Sequence, residues 1–538
     1  MEAVELTRRQ LLEALLAAPV ALAACKKAPP PPVAGAILGA SMDVGHLLQK
    51  VRGSQPGGDA KRVGVAIVGA GPSGLAAAWR LERLGVTDYV LFDLEDQPGG
   101  TSRSASDGVV PYPWGAHYVP VPSPQNRALV ALFSEMGALL PSGAGAEEQL
   151  VRAPEERVFY LGKWYDGLYL RAGASRADLA ELARFEGEIA RLVAWRDAQG
   201  RRAFTIPIAD ATTDEAITSL DRISMDTWLR ERGFQSTRLR WLVDYACRDD
   251  YGLLSRDASA YAGLFYFVSR TFEAGEAAAA LLSWPNGNGH IVEHLARVAR
   301  GRVRASSLVT DLVPREDGVD LTVLDVTTQT LAAWRADHVI FAAPKFTAPR
   351  VIRPWRDAPP AHLAQLDYGA WMVANLHLSG RPKSRGFPTA WDNVLYDSPS
   401  LGYVVATHQK LVDHGRTVWT YYYPLTDADP KEARRKLLAP DHAGWCDVIL
   451  SDLSRAHDAL PSHVERIDVW RWGHAMARPR VGSLWSGARE KAAKPLGRVH
   501  FAHADLSGMG LFEEAHYWGV AAAEAIVRAR GREVSSLL

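Results

Sequence analysis

Hydrophobic and polar positions along the chain switch between two periods. Val63–Val68 is a nearly unbroken apolar run rich in β-branched residues, the pattern of a strand buried on both faces. Gly69-Ala70-Gly71-Pro72-Ser73-Gly74 follows it. An alanine- and leucine-rich stretch then carries helical periodicity to about Leu84, where Gly85 is placed to end it. A second apolar run, Tyr89–Phe92, stops on Asp93. Residues 126–284 read mostly as helix. Ala177–Trp195 is one amphipathic run, Met225–Leu229 opens another, and Leu239–Ala246 leads into Cys247-Arg248-Asp249-Asp250-Tyr251-Gly252. Short strands are predicted at Val303, Leu308–Leu312 and Leu321–Leu324, and Ala336–Ala343 is a buried strand closing on Pro344. Tyr368–Leu378 and Val418–Tyr423 predict strands of a mixed sheet, and a helix starts near Phe512 after the strand opened by Val499.

The first of these stretches carries chemistry. Gly69 permits a tight turn out of the strand, Gly71 lets backbone N–H groups approach a pyrophosphate, and Gly74 lets the helix pack close to the strand. The helix N-terminus offers unpaired N–H groups and a partial positive charge to phosphates. Asp93 lies roughly 20 residues on, where a carboxylate accepts hydrogen bonds from ribose hydroxyls. Strand, glycine loop, helix and acid in that order predict a dinucleotide site.

Composition narrows the picture. With 538 residues the chain exceeds one ordinary domain, and two domains plus a leader are expected. The 61 basic and 61 acidic residues balance, which leaves no basic excess for nucleic acid. Seventeen tryptophans make aromatic cavities plausible. Cys25, Cys247 and Cys446 form no zinc-type spacing, so no metal is expected. Cys247 and Cys446 are read as two separate buried thiols, with one disulfide as the alternative.

Residues 1–25 read as a leader. Arg8-Arg9 is a twin-arginine pattern, Ala14–Ala24 is an apolar segment too short to span a bilayer, and Leu22–Cys25 looks like a bacterial lipobox. These features predict twin-arginine export, a lipid anchor at Cys25, and a place in the bacterial cell envelope on the periplasmic side. Residues 26–60, with Pro29–Pro32 and Gly53–Gly58, read as a flexible tether.

Gly99-Gly100 and Arg103 follow Asp93 within a few residues, where a nicotinamide domain would go straight into another helix. A glycine pair followed by a basic residue is similar to the second phosphate and flavin contact of large two-domain FAD oxidoreductases. Val63–Arg103 resembles the flavin amine oxidase superfamily of monoamine, polyamine and amino-acid oxidases and, more distantly, protoporphyrinogen oxidases and carotenoid desaturases. The resemblance implies an α/β fold. A Rossmann-like FAD-binding domain would be built from residues 61–125, 285–345 and 486–538. An inserted α+β substrate domain would have a helical part, 126–284, and a mixed-sheet part, 346–485. It implies FAD, held without a covalent bond, at Gly69, Gly71, Pro72, Ser73, Gly74, Asp93, Gly99, Gly100 and Arg103. Trp114, Gly115 and Ala116 lie in a segment similar to the one that crosses the isoalloxazine ring. Val309 matches the backbone contact to the adenine end. Asp505 matches the ribitol-binding acid, and Phe512 and Glu513 the start of the helix beneath the flavin pyrimidine. Trp284–His290 resembles the turn back into the FAD domain.

Two departures from the family pattern stand out. His503 and Ala504 fill the positions before the ribitol acid, so Asp505 comes one residue late. Many amine oxidases place a lysine near flavin N5. Ala374 and Asn375 stand there, while Lys345 follows an FAD-domain strand. Trp371, Asn375, Trp472 and His474 are the catalytic candidates, and Arg248 with Asp249 or Asp250 is either a capped, salt-bridged helix end or a substrate-orienting group. The resemblance implies oxidation of a hydrophobic amine or related small metabolite by hydride transfer to flavin N5. The alternatives are desaturation or dehydrogenation of a C–C bond, and a non-catalytic electron carrier.

Overall fold

The computed structural model describes residues 32–273, 275, 277–410 and 414–538. The leader, with Arg8, Arg9 and Cys25, lies outside the described residues.

The apolar run at Val63 forms the strand Lys61–Val68, whose last six residues are buried. It pairs in parallel with Tyr89–Phe92 on one side and with the end of Thr330–Phe341 on the other. The long strand Thr330–Phe341 does two jobs. Its first half carries the antiparallel meander of Ser307–Pro314 and Val319–Asp325, and its second half takes Val499–Phe501 in parallel. With Val303–Arg304 beside Tyr89–Phe92, these strands make a seven-stranded sheet. Segments more than 400 residues apart in sequence therefore share one sheet, as a parallel arrangement with crossovers allows. The helix Pro72–Arg83 packs on Phe512–Ala529 around Leu75, Trp79, Val520 and Ile526. The alanine run Ala521–Ala523 and Gly519 make this approach close, since a Cβ at Gly519 would stand 2.2 Å from the Ser73 carbonyl oxygen.

A second sheet has eight strands, in the order Ile37–Gly39, Val464–Trp472, Trp371–Leu378, Thr417–Pro424, Gly402–Val405, Asp392–Leu395, Glu156–Tyr160 and Lys163–Asp166. Every residue of Trp371–Leu378 is buried. Its two faces diverge with the strand period of two. Met372, Ala374 and Leu376 pack under the helices Pro430–Leu438 and His442–Leu453, while Trp371 and Val373 face a cavity. Arg176–Ala194, Met225–Glu231, Thr237–Tyr251 and Ala260–Val268 form a helical layer around Phe185, Trp228, Val243 and Phe265. Cys247 and Cys446 are both free and buried.

One expectation is refined and one corrected. Residues 126–284, read mostly as helix, are not purely so, because the hairpin Glu156–Tyr160/Lys163–Asp166 closes one edge of the second sheet. Nor is 26–60 a tether over its described part. Ile37–Gly39 pairs in parallel with Val469–Arg471, and Met42–Lys50 is a helix. The short apolar run Ala36–Leu38 covers an edge that would otherwise leave a row of unpaired backbone groups. Gly35 makes the approach possible, with φ +130° and space so tight that a Cβ would lie 1.8 Å from the Ile467 carbonyl oxygen.

Candidate active site

A cavity of about 2050 Å³ begins at the glycine loop and runs to the second sheet. At its first end Gly71, Pro72 and Ser73 open the helix Pro72–Arg83 toward it. A Cβ on Gly71 would meet only the Gly100 Cα, at 3.8 Å, so it would project into open space. The Ser73 hydroxyl is buried and has no hydrogen-bond partner among the described residues. An open cradle, an orphaned hydroxyl and a helix N-terminus fit a phosphate group. Gly74 acts differently. Its Cβ would collide with the Gly69 carbonyl oxygen at 1.8 Å, so it serves the strand–helix contact and does not line the cavity.

Asp93 closes this end. Its carboxylate accepts from the Ala70 N–H at 2.6 Å, and burial raises its pKa to about 6. Val309 lines the same region. Gly100 lines the cavity, whereas Gly99, at φ +130°, supplies the turn behind it. Arg103 departs from its expected place. It pairs with Glu95 and Asp96, both at 3.0 Å, and its guanidinium lies over Trp470, outside the cavity. Ser41 also donates to Glu95, which ties the N-terminal segment to this loop.

Further along, Asp505 lines the cavity despite its late position in sequence. Its carboxylate accepts from the Lys345 backbone N–H at 2.8 Å and from the Tyr368 hydroxyl at 2.7 Å. Burial opposes its charge, but His503 at 2.9 Å and these donors hold its pKa below the ordinary value. His503, which stands where the family pattern has a glycine, thus becomes the partner of the displaced acid. Phe512 and Glu513 start the C-terminal helix at the cavity wall, and burial lifts Glu513 to about 6. Lys345 itself is turned away. Its Nζ lies 3.1 Å from the Phe501 ring centroid, without a hydrogen-bond partner among the described residues, and burial drops its pKa to about 7.

The second end is a chamber. Gly115 and Ala116 line it, held by Tyr422, whose hydroxyl donates to the Gly115 carbonyl, and by Trp472, whose Nε1 donates to the Trp114 carbonyl at 2.8 Å. Trp114 contributes only that carbonyl, because its ring is packed between Tyr112 and Trp470. Trp371, Trp391, Tyr422 and Trp472 supply aromatic walls. His474 lines the cavity stacked on Phe346, and burial, Arg434 and Arg350 lower its pKa to about 4. Asn375 is not a site residue. It is fully buried, donates to the Pro113 carbonyl and accepts from Thr420, so it fastens the second sheet to the short strand Pro111–Pro113.

The Arg248–Tyr251 cluster divides. Arg248 binds the carbonyls of Ser398 and Pro399 and pairs with Asp244, a structural role. Asp250 pairs with Arg270 at 2.9 Å, and Asp249 faces the chamber. Glu156, Tyr245, Arg270 and Asp392, which the sequence reading missed, line the same chamber. They come from two strands, a helix and the turn after another helix, with no local spacing to mark them.

Residues 72–527 match a family described as flavin containing amine oxidoreductase. The flavin-dependent L-tryptophan oxidase RebO of Lentzea aerocolonigenes is 25% identical over 485 residues, covering 81% of this chain and 92% of the relative. The fold is similar to that of a cofactor-redesigned putrescine oxidase variant. There the TM-score is 0.65 at 17% identity, over 88% of this chain and 100% of the other. A fatty acid isomerase from P. acnes also shares the fold, with TM-score 0.59 and 16% identity over 87% and 98% of the two chains.

Proposed function

The chain belongs to the flavin-containing amine oxidoreductase family and is an FAD-dependent oxidoreductase of the amine oxidase type, and from that premise we propose that it oxidises a small amine bound in the aromatic chamber. The observation that carries this reading is the continuity of the cavity from the Gly71–Ser73 cradle to the walls of Trp371, Tyr422 and Trp472. FAD, when bound, supplies the two-electron acceptor for hydride leaving the carbon beside the amine nitrogen. The chain's own residues hold and orient. Ser73 and the first turn of Pro72–Arg83 take the pyrophosphate, Asp93 the ribose hydroxyls, and Asp505 the ribitol chain. Glu513 stands at the start of the last helix, beside the flavin end of the cavity. Tyr422 and Trp472 fix the Gly115–Ala116 loop through its carbonyls, and their rings with Trp371 exclude water and pack the apolar stem of the substrate. The chamber is space that an electron carrier has no use for.

The test is anaerobic reduction. Purified enzyme should be yellow, and its flavin absorbance should bleach with an amine from a broad panel. Bleaching by a C–C bond substrate and by no amine would overturn the proposal. We also propose that the chain is exported by the twin-arginine route and anchored through a lipid at Cys25, which the Arg8-Arg9 pair, the Ala14–Ala24 run and the Leu22–Cys25 lipobox support. Among the described residues no helix is long and apolar enough to cross a membrane.

A further inference from the structure

We propose that the segment before the first FAD-domain strand is part of the cofactor site: the helix Met42–Lys50 is a clasp over the adenosine half of FAD, and its inner face is completed only by the cofactor. The proposal rests on the placement of FAD between Asp93 and Val309 and does not depend on which substrate is oxidised. The segment lies ahead of the family match, which begins at residue 72. It touches both sheets. Ile37–Gly39 extends the second sheet by pairing with Val469–Arg471. Ser41 then holds the FAD-domain loop, its N–H and its hydroxyl each donating to Glu95 at 2.8 Å. The Glu95 N–H donates in turn to the Asp93 carboxylate at 2.8 Å, so the clasp and the ribose acid share one network. Further along the helix, Leu48 packs against the cluster that holds Phe92, Val309 and Phe341.

Two features of the helix find no reason in the protein alone. The first is its inner stripe. Ser41, Val44, Gly45 and Leu48 recur at helical spacing, are half-buried and line the cavity. No residue of the helix is buried, so the stripe has no core of its own. The second is Gly45. Glycine inside a helix is unfavourable beside alanine, yet a Cβ at Gly45 would meet no atom within 4 Å. No contact among the described residues demands glycine there, whereas a flat ring laid against the helix backbone does. The helix also lacks its own cap. Ser41 stands at the N-cap position, but its hydroxyl turns to Glu95 and not to the first turn. A helix of nine residues held in this way is marginal in water by itself. An adenine ring offers the flat apolar surface the stripe lacks, with its ribose toward Asp93.

Hydrogen exchange tests the clasp in the unaltered chain. The full-length protein is compared by mass spectrometry with FAD bound and with FAD removed. The amides of residues 45–50 should exchange at least about tenfold more slowly when FAD is bound. A slowing no greater than that of the helix His442–Leu453, which lies outside the cavity, overturns the proposal. Gly45→Leu should keep the far-UV dichroism of the parent, because leucine is the better helix former, and should raise the FAD dissociation constant at least about tenfold. Ser41→Ala should speed FAD release about tenfold, as loss of a hydrogen bond to a charged group warrants. Lys50→Leu, at an exposed position that does not line the cavity, should change neither. FAD affinity in a folded Gly45→Leu protein within about threefold of the parent overturns the clasp; if that variant does not fold, the exchange comparison decides alone. FAD weakened by Gly71→Ala and not by Gly45→Leu overturns the clasp and leaves the cofactor site standing, whereas FAD weakened by neither overturns both.

Discussion

Gly71→Ala is a perturbation whose effect on the fold and on the cofactor can be separated. Gly71 has φ −74° and ψ −176°, an extended conformation any residue adopts, so alanine brings no backbone strain. Its Cβ would meet only the Gly100 Cα at 3.8 Å, an ordinary contact. The chain should fold, with a change in the stability of the apoprotein within about 1 kcal/mol. The new methyl occupies the space where the pyrophosphate must approach the helix N-terminus. Losing one charge-assisted backbone contact costs about 2 kcal/mol, which is about thirtyfold in the FAD dissociation constant. At saturating FAD the same 2 kcal/mol disappears from the stability of the holoenzyme, lowering Tm by about 2 °C for a chain of this size. The assays are fluorescence titration of the apoprotein with FAD, the flavin-to-protein absorbance ratio, and far-UV circular dichroism. Gly74→Ala is the contrast, because its Cβ would stand 1.8 Å from the Gly69 carbonyl oxygen and should damage folding itself. A Gly71→Ala protein with native dichroism and FAD affinity within about threefold of the parent would refute the placement of the pyrophosphate.

Lys345→Met should stabilise the protein, and the gain should depend on pH. Burial lowers this lysine from 10.5 to about 7, a net change equivalent to about 5 kcal/mol. The folded pKa lies below the unfolded one, so the unfolded chain holds the extra proton between them and stability rises with pH across that window. The variant should therefore exceed the parent by about 5 kcal/mol at pH 6 and match it near pH 10.5; melting curves over that range that show no convergence would count against the buried-cation reading. Replacing Arg8 and Arg9 by lysine should leave flavin-loaded protein in the cytoplasm on cell fractionation, and unchanged envelope localisation would count against twin-arginine export.

Much of the cofactor site was legible because its parts are contiguous. Strand, loop, helix and acid fall within Val63–Arg103, and Asp505–Glu513 is equally compact. Legibility ended where a side chain's direction depended on a distant neighbour. Arg103 is captured by Glu95 and Asp96, Trp114 by Tyr112 and Trp470, and Asn375 by Pro113 and Thr420. Trp470, Pro113 and Thr420 stand far away in sequence, and even the nearby Glu95, Asp96 and Tyr112 become partners only through how their loops fold.

The amino-acid order by itself determined that this chain holds a dinucleotide, since periodicity and spacing over a few dozen residues suffice to build a strand, a phosphate loop and a helix. The tertiary structure alone decided what shares the chamber with it. Glu156, Asp249 and Asp392 meet through strand pairing and helix packing across more than 200 residues, and Ile37–Gly39 leaves its proline-rich surroundings to complete a sheet edge. Backbone hydrogen bonding between strands carries no local sequence signature, so which acids come to face one another is settled only when the sheet closes.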